Sequence, residues 1–212
     1  QYDCLGEGGA NKTIGTAAGD VDLFGWSTAA TKYGISTSTS SSDYSGDFVD
    51  WGKNIGDGST WRTLTKDEWA YLLGTGTGTR GANSDWWIYN MVKITDVGSA
   101  GVTGLIIYPD GVTEDITEKL SNKAGTSAVV ITKTDFEKLE AMGCVFLPAA
   151  GYREEVNVQQ LQLHGNYWSS THGNNGTAHY LVFRNDNNNA LDMFNPNHRY
   201  WGRSVRLVKD IK

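Results

Sequence analysis

Four histidines, His164, His172, His179 and His198, lie near one another in the chain and invite a metal reading first. A metal centre needs three or four ligands converging at about 2 Å, with groups behind them to orient the rings. The histidine gaps of eight, seven and nineteen residues contain no HxH or HxxxH spacing, so the four read as scattered surface side chains. Serines and aspartates are plentiful, but no nucleophile-elbow phrase brings a serine, a histidine and an acid together. The glycine-rich phrases "GEGGAN" and "GTGTGTRG" lack the strand-loop-helix setting and the lysine of a phosphate loop. Cys4 and Cys144 are the only cysteines; they read equally as one disulfide or as two buried thiols.

Asparagine gives a stronger signal. Nine of the fifteen asparagines fall between Asn166 and Asn197, a stretch of 32 residues. A side-chain amide both donates and accepts hydrogen bonds, so a cluster of them suits recognition. It also suits turns, because asparagine tolerates the left-handed conformation and bonds to its own backbone. Asn187-Asn188-Asn189 and the "NPN" at Asn195–Asn197 fit either role.

The elements around the cluster are short. "LTKDEWAYLLG" predicts a helix: Thr65 and Glu68 have capping-box spacing, and Leu64 and Trp69 form a hydrophobic staple. Trp69, Leu72 and Leu73 share a face, and Gly74 ends the helix. "TKTDFEKLEAMG" predicts a second helix, capped by Thr134 with Glu137 or by its rival Thr132, and ended by Gly143. "WWIYNMVKI", "GLIIYPDG", "CVFLPAAGY", "NYWSST", "AHYLVFR", "ALDMF" and "SVRLVK" read as strands separated by turns. Two helices among many short strands indicate an α+β domain with antiparallel sheet.

Strand parity refines the asparagine segment. In "AHYLVFR", Leu181 and Phe183 share one face and form the natural core pair, while Tyr180, Val182 and Arg184 share the other. With Asn174, Asn175, Asn185 and Asn187 to Asn189, that second face is expected to make one continuous exposed patch. Tyrosine and arginine would supply anchoring contacts and the short polar groups adaptable ones.

Bulk properties set outer limits. With 212 residues and 39% apolar content, a packed core is within reach, helped by eight Trp, ten Tyr and six Phe. The net charge of −6, with no basic run, argues against nucleic-acid binding. No apolar stretch approaches bilayer length. The chain begins at Gln1, which is expected of a processed or trimmed form. The hydroxyl-rich run at residues 36–42 reads as an exposed loop.

Several phrases together resemble one branch of the C-type lectin fold, the formylglycine-generating-enzyme-like branch. "WRTLTKDEWAYLL" resembles its "WRLPT-x-x-EW" helix. "VFLPAAGYR", "GNYWSST" and "GRSVRLVK" resemble its C-terminal core, and "DLFGWST" is similar to a phrase of its bacterial surface proteins. The resemblance implies a single C-type lectin-like domain over residues 1–212, with two helices, twisted antiparallel strands and long loops.

Within that branch, the resemblance extends to the variable proteins of diversity-generating retroelements. An error-prone reverse transcriptase rewrites the C-terminal end of such genes at adenines, so adenine-rich asparagine codons become the randomised positions. It implies a variable segment at 166–203 and a ligand-binding protein of receptor or adhesin type. Its contact residues would be Asn166, His172, Asn174, Asn175, Tyr180, Val182, Arg184, Asn185, Asn187, Asn188, Asn189, Phe194, Asn195, Asn197, His198, Tyr200 and Trp201. Substitution at the adenines of an AAC codon cannot produce Trp or Met. Met193 and Trp201 would therefore be fixed, Trp201 as an aromatic contact or as core.

The implied partner is a protein or glycan ligand. The implied location is secreted, on a bacterial cell surface or phage-encoded, with a lipid anchor as one means of attachment. The branch's oxidase uses a C-terminal cysteine pair with copper; no cysteine lies beyond Cys144, so an oxidase relative is the weaker alternative. A structural surface domain without a variable site is another. Calcium-dependent lectins show Glu-Pro-Asn or Gln-Pro-Asp with a later Trp-Asn-Asp. Here "FNPN" and "RND" depart from both, and only Asp186 and Asp192 supply carboxylates, so neither enzyme activity nor a metal or cofactor is expected.

Overall fold

The computed structural model describes Trp26 and residues 47–54, 61–74, 88–110, 128–154, 157–174, 176–185, 191–193 and 195–209. The hydroxyl-rich run at 36–42 and Cys4 lie outside these residues.

Helix α1 spans Lys66–Leu72. Thr65 caps it, with both arms of the capping box formed to Glu68. Leu64 and Trp69 are buried in one cluster, as the staple pattern predicts. Gly74 follows at φ +68°, a conformation that costs glycine little. Helix α2 spans Lys133–Ala141 and is capped by Thr132 with Asp135, so the rival cap wins over Thr134. A cap must stay extended while its hydroxyl reaches the N–H three residues on. Thr132 does so directly after strand β4 (Val129–Ile131), whereas Thr134 is already helical.

Strands β2 (Tyr89–Ile94), β3 (Val102–Ile107), β4 and β5 (Val145–Pro148) form a sheet in the order β4-β2-β3-β5. The β2–β4 pair is parallel and the others antiparallel. A second sheet is built on the hairpin of β8 (His164–His172) and β9 (Thr177–Arg184). The far edge of β9 pairs with β10 (Leu191–Met193) at one end and β11 (Asn197–His198) at the other. Strands β6 (Tyr152–Glu154) and β7 (Asn157–Gln159) form a small hairpin. Strand β1 (Trp61–Thr63) pairs with β12 (Leu207–Lys209), joining distant parts of the chain.

Three apolar clusters follow. The central one holds Leu64, Trp69 and Leu73 of the α1 region, Leu105 and Leu147 of the first sheet, and Tyr167, Leu181 and Phe183 of the hairpin. Leu139 of α2 covers the other face of the first sheet, with Val92, Ile106 and Cys144. Trp26 and Trp51 cover the other face of the hairpin, over Trp168, Tyr180 and Val182. Each of the two four-stranded sheets thus carries an apolar cluster on both faces. Burial raises the Cys144 thiol above its ordinary range, which makes it a poor nucleophile. Gly165 allows close packing, since a Cβ there would collide with the Phe183 ring.

Among the described residues, no helix is long and apolar enough to cross a membrane.

Candidate functional site

The parity expected for β9 holds, but its consequence for exposure does not. Leu181 and Phe183 face the central cluster, and Tyr180 and Val182 face the opposite way. That second face is also covered: Tyr180 is 9% exposed and Val182 3%. Trp26 and Trp51 lie over it, with the Trp26 indole N–H donating to the Ser169 carbonyl at 2.9 Å. Alternation separates two faces without stating which of them water reaches.

Asn166 is likewise not a surface residue. It is 3% exposed; its Oδ1 accepts from Arg203 Nη1 at 2.7 Å and its Nδ2 donates to the Gly151 carbonyl at 3.3 Å. Main-chain bonds extend this junction. Ser204 N–H donates to the Asn166 carbonyl and Trp168 N–H to the Ser204 carbonyl, both at 2.9 Å. Arg153 and Gly202 exchange a pair of bonds at 2.7 and 2.9 Å. Asn166 therefore belongs to the framework that fastens the C-terminal segment to β8.

The expected continuous patch divides into two ends. Strand β9 has eight residues, so its ends lie about 23 Å apart. At the far end Arg184 is half-buried, and Asn185 accepts from the Ala128 N–H at 3.2 Å through its Oδ1. Asn175, Asn187, Asn188, Asn189 and Phe194 lie outside the described residues.

The hairpin end gathers most of the remainder. Ala178 is flanked across the sheet by His172 of β8 and Asn197 of β11, whose backbones lie roughly 10 Å apart. His172, Asn174, Asn195 and His198 are exposed, while Asn197 and Tyr200 are half-buried. The His198 and Tyr200 rings stack at 5.0 Å, 14° from parallel.

The backbone under these side chains is firmly held. Gly173 N–H donates to the Thr177 carbonyl at 2.9 Å, and Arg199 N–H to the Gly176 carbonyl at 3.1 Å. Arg199 Nε donates to the Thr177 carbonyl at 3.1 Å, and its guanidinium lies 4.4 Å over the Trp26 ring. Burial lowers the Arg199 pKa from its ordinary value. The result is a polar surface with one aromatic pair on a rigid backbone. Among the described residues no group of three or more His, Cys, Asp or Glu is placed to hold a metal ion.

A second assembly escaped the sequence reading. Arg203 is 5% exposed, and its guanidinium packs against four rings: Tyr180 at 3.5 Å, Trp168 at 4.9 Å, Trp201 at 5.1 Å and Tyr152 at 5.8 Å. Trp201, half-buried, stacks on Tyr152 at 5.1 Å. Such cation–π contacts are worth about 0.5–2 kcal/mol each. Burial pulls Arg203 down to about 10, opposed by the phenol groups of Tyr180 and Tyr152, so it stays charged at neutral pH. Its Nε and Nη2, and the indole nitrogens of Trp168 and Trp201, are buried without a hydrogen-bond partner. Arginine is rarely buried, and nothing in "GRSVR" marks Arg203 as the residue that turns inward.

No protein family, curated protein or solved structure matches the chain.

Proposed function

We propose that this chain is a ligand-binding domain of receptor or adhesin type. Its contact surface is the hairpin end formed by His172, Asn174, Asn195, Asn197, His198 and Tyr200. The observation that carries the reading is the pairing of outward polar side chains with a backbone stapled from two sides. A rigid backbone lowers the ordering cost of binding, so a change of side chain translates into affinity. The His198–Tyr200 stack supplies an anchor and the asparagines supply adaptable hydrogen bonds.

The finer reading is a C-type lectin-like domain, a variable protein of a diversity-generating retroelement, secreted or on a cell surface, with a protein or glycan ligand. Two features support it. The α+β architecture has two helices among its described residues, and the phrases that resemble the lectin branch fall on framework: "WRTLTKDEWAYLL" on β1 and α1, "GNYWSST" on β8, "GRSVRLVK" leading into β12. The asparagine-rich positions at the hairpin end lie between those pieces. No catalytic role is part of this reading.

The test is a pair of display libraries of equal size selected against unrelated proteins and glycans. One is randomised at His172, Asn174, Asn195, Asn197, His198 and Tyr200, the other around Lys66 and Lys138 on the helices. The first should yield folded binders far more often. Equal yields, or a first library that mostly unfolds, would reject the hairpin end as a binding surface.

A further inference from the structure

We propose that the hairpin end takes an acidic polypeptide segment of a partner protein, with the outer edge of Arg199 as the group that reads its carboxylates. This inference rests on the hairpin-end reading and names the class of ligand that surface would hold.

Arg199 is fixed before any ligand arrives. Its Nε donates to the Thr177 carbonyl at 3.1 Å, its guanidinium lies 4.4 Å over the Trp26 ring, and its main-chain N–H donates to the Gly176 carbonyl at 3.1 Å. Those contacts use one nitrogen of the guanidinium and one of its faces. The two Nη groups bond to no described residue, and neither is a buried polar atom lacking a partner. In a half-buried side chain they therefore reach the surface. Together they present a two-pronged edge that fits a carboxylate, and an arginine already held in place loses little freedom on binding one.

The charge of Arg199 is also unanswered. It makes no ion pair with a described residue, and burial alone moves its pKa, with no carboxylate acting against it. Residues 156–185 and 193–209, which supply β8, β9, β11 and the returning segment, contain none of the chain's 24 Asp and Glu. The one acid in the strands of that sheet, Asp192, pairs with Val182, roughly 13 Å along β9 from Ala178. Helix α1 meets this end through the Lys66 N–H, which donates to Thr171 Oγ1 at 2.9 Å, and the neighbours Lys66 and Asp67 offset each other's charge. In a chain of net charge −6 the hairpin end is thus a locally positive surface, which attracts anions and repels cations.

The companion side chains select a peptide over an acidic sugar. The C–H face of a sugar needs an open, electron-rich ring. Tyr200 is half-buried, and the His198 ring covers one of its faces. The exposed Asn174 amide offers a donor and an acceptor, the pair that a peptide group presents in return.

The experiment titrates the full chain, labelled with nitrogen-15, with a short Ser-Glu repeat peptide, its Ser-Gln counterpart and an oligogalacturonate. The Ser-Glu peptide should shift the Arg199 Nε–H signal and the main-chain signals of Gly173 and His198 saturably, and added salt should weaken its binding several-fold. The Ser-Gln peptide should bind several-fold more weakly. Arg199→Lys keeps the charge but not the two-pronged edge, and should weaken Ser-Glu binding several-fold. Should that variant not fold, the Nε–H signal of the parent chain decides. Arg199→Lys binding as tightly as the parent would overturn the role given to Arg199. Equal binding of the Ser-Gln peptide, with the same signals moving, would keep the hairpin end as a binding surface and overturn its preference for acid. No shift, or shifts confined to other parts of the chain, would overturn the proposal and leave the display libraries to judge the hairpin end. Tighter binding of the oligogalacturonate would make the ligand an acidic glycan and overturn the peptide.

Discussion

Asn166 and Arg203 meet at 2.7 Å across 37 residues of sequence, both of them buried. This contact joins β8 to the segment that returns from the hairpin end. Because Ser204 also bridges the Asn166 carbonyl and the Trp168 N–H, side-chain and main-chain bonds fasten the same junction. Asn166→Ala should cost about 2–3 kcal/mol, since it removes the acceptor for a buried cation. Urea unfolding measures the loss, and a change below about 0.5 kcal/mol would show that Arg203 finds another acceptor.

Burial of the second face of β9 predicts unequal effects within the asparagine-rich segment. Tyr180→Ala should destabilise the domain by about 3–5 kcal/mol, the range for removing a buried ring. His172→Ala, Asn174→Ala and His198→Ala should each stay within about 0.5 kcal/mol. Unfolding midpoints of the four variants decide this. A neutral Tyr180→Ala would return that residue to the surface.

The two threonines at the start of α2 should differ. Thr132→Ala removes the hydroxyl that accepts from the Asp135 N–H at 3.1 Å and should cost about 1 kcal/mol. Thr134→Ala places a better helix former at an exposed helical position and should be neutral or slightly stabilising. The reverse order would move the helix start by two residues.

Glu68 predicts an acid-sensitive contribution. Partial burial acts to raise its pKa, but hydrogen bonds from Arg62 and Thr65 outweigh that and hold it below its ordinary value of 4.5. A carboxyl lowered by folding stabilises the protein above its unfolded pKa, and the effect fades as pH falls through the folded value. The stability difference between the parent chain and Glu68→Gln should therefore be largest near neutral pH and shrink below about pH 4. It should be modest, because the Arg62–Glu68 pair is partly exposed. A difference that stays constant down to pH 2 would mean the charge contributes nothing.

Gly165 predicts a packing limit. Gly165→Ala should cost about 1–3 kcal/mol, because the new methyl meets the Phe183 ring on the neighbouring strand. Calorimetry would show it as a lowered midpoint. An unchanged midpoint would mean that the ring has room to move.

The features legible in the sequence were local ones. Thr65 and Glu68 announce α1 because a capping box needs only four consecutive residues, and Gly74 marks its end because that backbone angle suits glycine. The alternation of Leu181 and Phe183 against Tyr180 and Val182 follows from strand geometry alone. Which face meets water was settled only by tertiary structure. The Trp26 that covers Tyr180 and Val182 reaches Ser169 across 143 residues, and no local periodicity encodes what packs over a strand from that distance. The same holds for the polar residues. Asn166 and Asn174 are one residue type in one segment, yet one fills a buried junction with Arg203 and the other stands in solvent. An amide side chain serves either place, and the partners that choose between them come from elsewhere in the chain.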